Sequence, residues 1–314
     1  MSKSILAVLL ISLSLMLQSC SEPKQEPLKI AYTDWIGDYP LILAKEKGYF
    51  KDAVHIHEIA NSSESLRLFK NNLIDGMTAT MDEALDLYIK NKDISIILVT
   101  DHSKGSDVIV ANPDIRSLKA LKGKRIGYES SAVGALMLAM VLQNAELSLD
   151  DITPVNVPYH EHEQAYDKGE VDAVITYDPN KSNLEKSGAV LLFDSSKIPY
   201  TILDVLIVRR SLVDKKDKRL KTLTQGWFNA VDLIHNKPSA IPVIFNYKPS
   251  ELSDMFEGVE LLDRADNLEL FQNSKLIGIT ENIFNIMTEH ELISVNELDI
   301  PSLLDDRCIR EPFE

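Results

Sequence analysis

Several turns of the sequence carry side chains whose chemistry suits the binding of a small molecule. At residues 34–39, 78–83, 129–133 and 177–178 a strand-like run gives way to a helix-like run, and open α/β sheets bind ligands at such turns. Aromatic rings there can stack on a ring or hold a cation, and carboxylates can bind an ammonium or an amidine. We predict that the ligand-binding residues are Trp35, Tyr39, Thr80, Asp82, Ser130, Ser131, Tyr177, Asp178 and Asp204.

These residues also have structural explanations that the sequence leaves open. Trp35 could pack between domains, whereas Thr80 and Glu83 have the spacing of a capping box, in which both side chains satisfy free backbone N–H groups at a helix start. The two serines could be plain N-caps. Asp204 lies within an apolar run, so its carboxylate needs a partner, either a ligand or a hydrogen-bonding group across a domain interface.

The predicted turns contain no arginine, which argues against a doubly charged or purely anionic ligand. A zwitterion or an amine-bearing molecule fits the aromatic rings and carboxylates better. An anionic ligand remains an alternative because of the helix starts at Thr80 and Ser130. Free N–H groups and the helix dipole there favour carboxylate, sulfonate or nitrate oxygens without any cationic side chain.

Metal and enzyme chemistry have little support in the sequence. His55 and His57 would lie on one strand face, and residues 160–163 (His-Glu-His-Glu) concentrate further ligands, but neither set supplies the three or four ligands of a zinc site. The sequence contains no G-x-S-x-G, H-E-x-x-H, P-loop or G-x-G-x-x-G motif. We therefore expect no metal, no cofactor and no catalytic residue.

The charge balance argues against polyanionic partners. The 314 residues include 33 Lys and Arg against 48 Asp and Glu, a formal net charge of −15. Because no basic cluster is present to neutralise phosphates, we expect no nucleic-acid binding. The length and an apolar fraction of 45% fit a globular chain of about two domains, and we expect a monomer.

The N-terminal segment is typical of an export signal. Lys3 is followed by an apolar run over residues 5–17, which is too short to cross a ~30 Å hydrocarbon core as a helix. The run ends in a Leu-Gln-Ser-Cys sequence that resembles a bacterial lipobox, so we expect residues 1–20 to be a lipoprotein signal peptide with lipidation at Cys20. An ordinary signal peptide cut elsewhere is the alternative. Polar residues 21–27 predict a flexible tether, and the serine after the cysteine favours the outer over the inner membrane of a Gram-negative cell.

The elements that must position the candidate residues alternate along the chain. Short β-rich runs separated by helical runs predict an α/β fold with mostly parallel sheets, and the chain becomes mostly helical from Lys215 onward. We expect shorter helices near residues 250–257 and 280–290. An apolar stripe with helical spacing is formed by Leu220, Leu223, Trp227, Val231 and Ile234. The predicted strands are Leu28–Tyr32, His55–Ala60, Gly76–Ala79, Ser95–Thr100, Asp107–Ala111, Arg125–Tyr128, Thr153–Val157, Ala173–Thr176, Val190–Phe193 and Leu203–Arg209.

Segments in consistent order match the motifs of one known family. They are Tyr32–Trp35 with Ala44–Phe50, then Asp75–Leu85, Asp101–Asp107, Ser117–Lys124, Lys168–Val174 and Leu203–Arg209. Ser106 replaces the usual alanine of its motif, and Tyr177-Asp178-Pro179 stands where many members have Trp-Glu-Pro. Together these segments resemble the periplasmic solute-binding proteins of the nitrate, sulfonate and taurine group of ABC importers, which also includes binders of thiamine-pyrimidine precursors.

This resemblance implies a type II periplasmic-binding-protein fold, in which two α/β lobes are joined by two crossing hinge strands and hold ligand between them. We expect lobe 1 to comprise residues 28–110 and 206–314 and lobe 2 to comprise residues 111–205. The crossings are expected near Val108 to Asn112 and near Asp204 to Val208.

The resemblance also implies a lipid-anchored extracytoplasmic protein that captures a small organic solute of the nitrate, sulfonate, taurine or aminopyrimidine class and delivers it to ABC permease subunits. The lipid anchor would be its only contact with the membrane, on the periplasmic side. Two alternatives are a periplasmic sensory module that signals to a membrane kinase or cyclase, and an enzyme of pyrimidine metabolism that shares the fold.

Overall fold

A computed structural model of the chain describes residues 25–130, 133–236 and 256–310. Its strands are β1 (Leu28–Tyr32), β2 (Val54–Glu58), β3 (Gly76–Thr80), β4 (Ser95–Ser103), β5 (Val108–Ala111), β6 (Arg125–Tyr128), β7 (Thr153–Asn156), β8 (Ala173–Thr176), β9 (Val190–Asp194), β10 (Leu203–Val208) and β11 (Val259–Leu261). Its α-helices are α1 (Tyr39–Glu46), α2 (Ser62–Lys70), α3 (Met81–Lys90), α4 (Val133–Ala145), α5 (His162–Asp167), α6 (Asn180–Lys186), α7 (Arg210–Asp214), α8 (Lys218–Asn236), α9 (Arg264–Phe271), α10 (Lys275–Glu289) and α11 (Arg307–Arg310).

Every strand that the sequence predicts is present, with small differences at the ends. The short strand β11 was not predicted, because three residues are too few to show an alternating pattern. The expected helix near residues 250–257 lies mostly outside the described residues, as do the expected signal peptide, Cys20 and most of the tether. Within the described ranges, no helix combines the length and apolar character needed to span a bilayer.

Two sheets divide the chain into two lobes. The first sheet has the order β11-β4-β10-β3-β1-β2 and the second the order β7-β6-β8-β5-β9. In the first, β1 runs parallel to β2 and β3, and β10 lies antiparallel between β3 and β4. In the second, β6 runs parallel to β7 and β8, and β5 lies antiparallel between β8 and β9. The expectation of two α/β lobes linked by two crossings is confirmed.

The crossings lie earlier in the chain than expected. Strands β5 and β10 are buried apolar strands, and each pairs with two neighbours inside a single sheet, so neither can be the connection between sheets. The connections are residues 104–107 and 195–202, and the expected lobe boundaries at 110/111 and 205/206 fall inside strands. The hydroxyls of Ser103 and Ser195 are hydrogen-bonded at 2.8 Å, which ties the two crossings together.

Helix α8 buries the apolar stripe that the sequence predicts. Its spacing of three and four residues places Leu220, Trp227 and Val231 on one face, and each is fully buried. Gly226 on the same helix allows a close approach to Phe50, since a Cβ atom at Gly226 would lie 2.6 Å from the Cε1 atom of that ring. Phe50 is only 2% exposed, so the ring has little room to move.

Substitution of Gly226 by alanine is expected to destabilise the protein, and the same substitution at Gly278 is expected to stabilise it. The Gly226 methyl group would overpack a buried ring, which costs about 1–3 kcal/mol and outweighs the gain in helix propensity. Gly278 is exposed on α10, and no described residue of another element lies within 4 Å of the position that its methyl group would take, so only the propensity gain of about 0.5–1 kcal/mol applies. Urea unfolding followed by circular dichroism measures both, and equal midpoints for the two variants would refute the packing argument.

Candidate functional site

A cavity of about 720 Å³, counted to its open mouth, lies between the two lobes. It is bounded by the turns that follow β1, β3, β6 and β8, so it lies at the carboxyl ends of parallel strands, where α/β folds bind ligands. Its carboxyl-bearing lining residues are Asp38, Glu83, Asp107, Glu129 and Asp204. Among the described residues, no lysine or arginine lines it.

Asp38 lies at the floor of the cavity and is 1% exposed. Its Oδ2 atom accepts hydrogen bonds from the Thr78 hydroxyl at 2.8 Å and the Thr33 N–H at 3.2 Å. Its Oδ1 atom is buried and has no hydrogen-bond partner among the described residues. Burial raises the pKa of Asp38 to about 8 even though the Thr78 bond opposes the shift. A buried acceptor without a donor is costly, so this atom favours a ligand that brings one.

Glu83 combines two roles that the sequence treats as alternatives. Its Oε2 atom accepts a hydrogen bond from the Thr80 N–H at 3.0 Å, which caps the start of α3. Its Oε1 atom is buried and forms no well-aligned hydrogen bond among the described residues, although the Ser62 hydroxyl lies close enough to lower the pKa, and the side chain lines the cavity. Burial, reinforced by the neighbouring Asp82, raises the pKa of Glu83 to about 8.

The remaining acids come from the second lobe, the first crossing and strand β10 of the first lobe. Burial raises the pKa of Asp107 to about 6, and the pKa of Asp204 is raised well above its usual range by burial and then by the charge of Asp101. Glu129 follows β6 and accepts a hydrogen bond from the Ser63 hydroxyl of α2 at 3.2 Å. That bond joins the two lobes at the mouth of the cavity.

His162 lines the cavity but supplies no positive charge near neutral pH. Its Nε2 atom lies 3.1 Å from the Val157 carbonyl oxygen, which can only accept, so Nε2 carries the proton. Its Nδ1 atom then accepts from the Thr176 hydroxyl at 3.0 Å. Burial lowers the pKa of His162 to about 4, so the ring is neutral. His162 belongs to one of the two histidine pairs noted in the sequence. The second pair, His55 and His57, is exposed on the edge strand β2.

An aromatic wall closes one side of the cavity. Trp35 of the first lobe meets Tyr177 of the second with ring centroids 5.3 Å apart and planes at 86°. The ring of Tyr159 stacks on that of Tyr177, with centroids 4.2 Å apart and nearly parallel planes. Its hydroxyl donates to the Asp178 carbonyl oxygen at 2.9 Å, which fixes the stack. A flat solute edge can therefore pack against rigid rings contributed by both lobes.

The structure brings together part of the predicted binding set. Trp35, Thr80, Tyr177 and Asp204 all line the cavity, although ligand contact by them stays a prediction. The sequence missed Asp38 and Glu129 as lining carboxylates even though both lie in turns that it singled out, because an aspartate or glutamate in a polar turn has no pattern that reveals burial. Asp107 in the first crossing was missed for the same reason.

Two other predicted residues have structural roles away from this cavity. Tyr39 begins α1, is 3% exposed and packs in the core of the first lobe, with its ring perpendicular to Phe256 at 6.3 Å. Asp178 accepts hydrogen bonds from the Ser182 N–H at 3.1 Å and from the Ser182 hydroxyl, and so stabilises the first turn of α6.

Asp82 and Ser130 line a neighbouring cavity on the other side of Glu83. Glu83 lines both cavities, whereas Asp82 lines only the neighbouring one. Ser130 is exposed, and its N–H donates to the Asn156 side-chain oxygen at 3.0 Å. Ser131 lies outside the described residues.

The arrangement favours a cation. Three carboxyl groups with raised pKa values hold protons at or near neutrality because desolvation disfavours their charge. A bound ammonium or amidinium would offset that penalty and donate to carboxyl oxygens such as Asp38 Oδ1, whereas a sulfonate or nitrate would lie near Asp107, whose pKa of about 6 leaves it mostly charged at neutral pH. Within the described ranges, no three His, Cys, Asp or Glu side chains converge as a metal site requires.

Comparison with known proteins places this geometry in context. The profile of the NMT1-like family matches residues 21–245. A Haemophilus influenzae protein named for thiamine biosynthesis is 26% identical over 224 residues, a match covering 68% of this chain and 70% of that protein.

Two solved structures share the architecture. The ligand-binding component of an ABC-type import system from Staphylococcus aureus, with zinc bound, superposes with a TM-score of 0.77 at 15% identity over 92% of this chain and 99% of that one. The alkanesulfonate-binding protein of Xanthomonas axonopodis pv. citri, bound to MOPS, gives 0.72 at 18% identity over 90% and 99%. The expected periplasmic-binding-protein fold is thus confirmed.

Replacing Asp38 by asparagine is expected to flatten the pH dependence of stability. The folded pKa of about 8 exceeds the unfolded value of 3.8, so the native state holds a proton that the unfolded chain loses as pH rises through this window. The stability of the wild type therefore falls between about pH 4 and 8, by up to about 1.4 kcal/mol per pH unit for this group. Asparagine does not titrate, so Asp38→Asn should gain stability relative to the wild type at pH 8.

Urea unfolding at pH 5, 6, 7 and 8 without added solute measures the two slopes. The matched control is Asp167→Asn, which makes the same change of charge at an exposed position on α5. A slope for Asp38→Asn as steep as that of the wild type would show that this carboxyl group does not carry the buried proton.

Proposed function

Because this chain belongs to the NMT1-like family, and because its cleft is lined by carboxyl groups, we propose that it captures a small cationic or amine-bearing organic solute between its lobes and delivers it to an ABC importer. The observation that carries the proposal is the acidic lining, with no lysine or arginine beside it among the described residues. The protein catalyses no reaction on the solute, which is released chemically unchanged.

The solute class follows from the chemistry of the walls. The Xanthomonas neighbour binds an alkanesulfonate, but in the present cleft a sulfonate would lie near Asp107, whose pKa of about 6 leaves it mostly charged at neutral pH, and like-charge repulsion disfavours that arrangement. An aminopyrimidine supplies a flat ring for the Trp35 and Tyr177 wall and N–H donors for acceptors such as Asp38 Oδ1. The name of the Haemophilus relative, a thiamine biosynthesis protein, agrees with such a pyrimidine.

Closure depends on a solute that contacts both lobes. Asp38 and Glu83 belong to the first lobe, whereas Glu129 and Tyr177 belong to the second, so a solute that donates to both sets stabilises the closed arrangement. A ligand shifts such an equilibrium only by its difference in affinity for the two states. The lobe contacts already in place, Trp35 on Tyr177 and Ser63 on Glu129, define the closed geometry that the permease would recognise.

A panel of solutes should separate cations from anions. We expect 4-amino-5-(aminomethyl)-2-methylpyrimidine to stabilise the protein in a thermal-shift assay, by about 2.7 kcal/mol at 100 times Kd, while taurine, ethanesulfonate and nitrate give no shift. Mass spectrometry should recover the pyrimidine unchanged. Stabilisation by the sulfonates alone, or chemical conversion of the pyrimidine, would contradict the proposal.

Two neighbouring residues of α3 offer a matched test of the site. Glu83→Gln removes a carboxylate that lines the interlobe cavity and should weaken binding of the same pyrimidine about tenfold or more, the effect of losing a charged hydrogen bond. Asp82→Asn makes the same change one residue earlier, where the side chain faces the neighbouring cavity, and should leave Kd within about threefold of the wild type. Calorimetric titration measures both constants. Equal losses of affinity for the two variants would show that the solute binds elsewhere.

We also propose that lipidation of Cys20 anchors the protein at the periplasmic face of a membrane. The apolar run and the Leu-Gln-Ser-Cys sequence support this step. In a Gram-negative host, Cys20→Ser should move the protein from the membrane pellet to the soluble fraction. Cys308→Ser, which changes a buried thiol in the first lobe, is the matched control and should stay in the pellet. Retention of Cys20→Ser in the pellet would contradict the anchor.

A further inference from the structure

A hydrogen bond lies directly behind the aromatic wall of the cleft. The Trp35 Nε1 atom is 3.3 Å from Asp101 Oδ1 and 3.4 Å from Oδ2, and an indole N–H can only donate. The Thr100 hydroxyl donates to the same carboxyl group at 3.0 Å. Asp101 is completely buried in β4 and is not among the residues that line the cavity. Its contact with the cleft therefore runs through other residues.

Asp101 also faces Asp204 across the sheet. The two residues are paired in register between β4 and β10, so their side chains lie next to each other on one face of the sheet, and the charge of Asp101 raises the pKa of Asp204. Two neighbouring buried carboxyl groups are disfavoured when both are charged, so one of them holds a proton. Asp101 accepts from Trp35 and Thr100, which favours its charged form, so Asp204 is the partner that holds the proton.

Gly37 leaves space for this arrangement. A Cβ atom at that position would lie 2.3 Å from both Trp35 Nε1 and Asp101 Oδ2. The backbone of Gly37 is not in the left-handed region, so any residue could adopt its conformation. The three atoms nearest to that Cβ position all belong to Trp35 and Asp101, so the absence of a side chain at Gly37 lets these two groups approach each other.

We propose that Asp101 is a positioning residue of the cleft, which fixes the Trp35 indole against Tyr177. Other acids that face the pair are Asp38 of the first-lobe turn and Asp107 of the first crossing. The inference rests on the proposed function for what the cleft holds. The hydrogen-bonded unit itself can be tested without any solute.

The indole N–H signal of Trp35 reports directly on Asp101. The chain has two tryptophans, so a ¹⁵N-resolved proton spectrum shows two indole signals, and loss of one in Trp35→Phe assigns them. Burial raises the pKa of Asp101 to about 7. As pH rises through 7 the bond strengthens, and the Trp35 signal should move downfield while the Trp227 signal stays. Asp101→Asn keeps an acceptor for the indole but should abolish the movement. An unchanged titration in Asp101→Asn would overturn the proposal.

Gly37→Ala tests the same unit with both polar partners retained. Its methyl group should displace the indole from the carboxylate, shift the Trp35 signal upfield and weaken binding of 4-amino-5-(aminomethyl)-2-methylpyrimidine about tenfold or more. Gly278→Ala, at an open position, should change neither. A wild-type indole signal and affinity in Gly37→Ala would contradict the positioning role. If the wild type binds no pyrimidine, the proposed function fails, but the indole titration still decides the role of Asp101.

Discussion

Carboxyl groups buried without a cationic side chain are the constraint on which the rest of this molecule depends. Desolvation disfavours their charge, and the acids of the cleft accordingly have raised pKa values. Ordinary structural acids avoid this situation by pairing, as Asp172 does with Arg125 at 2.7 Å in the second lobe. The cleft instead leaves Asp38 Oδ1 without a donor among the described residues. Such a site gains most from a solute that supplies the missing positive charge.

The fold makes this unfavourable cluster possible. Turns after parallel strands converge at the same sheet edges, so acids that are distant in sequence meet without any direct pairing. Rigid supports hold them there: Thr78 on Asp38, the capping bond of Glu83, and the Ser103 and Ser195 hydroxyls at the crossings. The apolar cores of the two lobes stabilise the chain sufficiently to offset the local cost.

Much of the fold follows from the sequence, because alternation between β-rich and helical runs determines strand positions and the stripe on α8. The crossings were misplaced by a few residues, since apolar strands β5 and β10 carry no mark of which sheet they join. The site was predicted in part. Trp35 and Asp204 stood out by type and position, whereas Asp38 and Glu129 did not, because burial of a turn carboxylate is decided by the opposing lobe. Glu83 was predicted as a cap, and no local pattern reveals that its second oxygen faces the cavity.

The proton balance of binding tests the central claim most directly. Calorimetric titration with the aminopyrimidine at pH 7, in phosphate and in Tris, gives the number of protons exchanged after correction for the solute's own ionisation. If the cleft acids are neutral when free and ionise around a cation, binding must release protons. The apparent enthalpy must then differ between the two buffers as expected when each buffer takes up those protons. Binding with no proton release, or with proton uptake, would contradict the account.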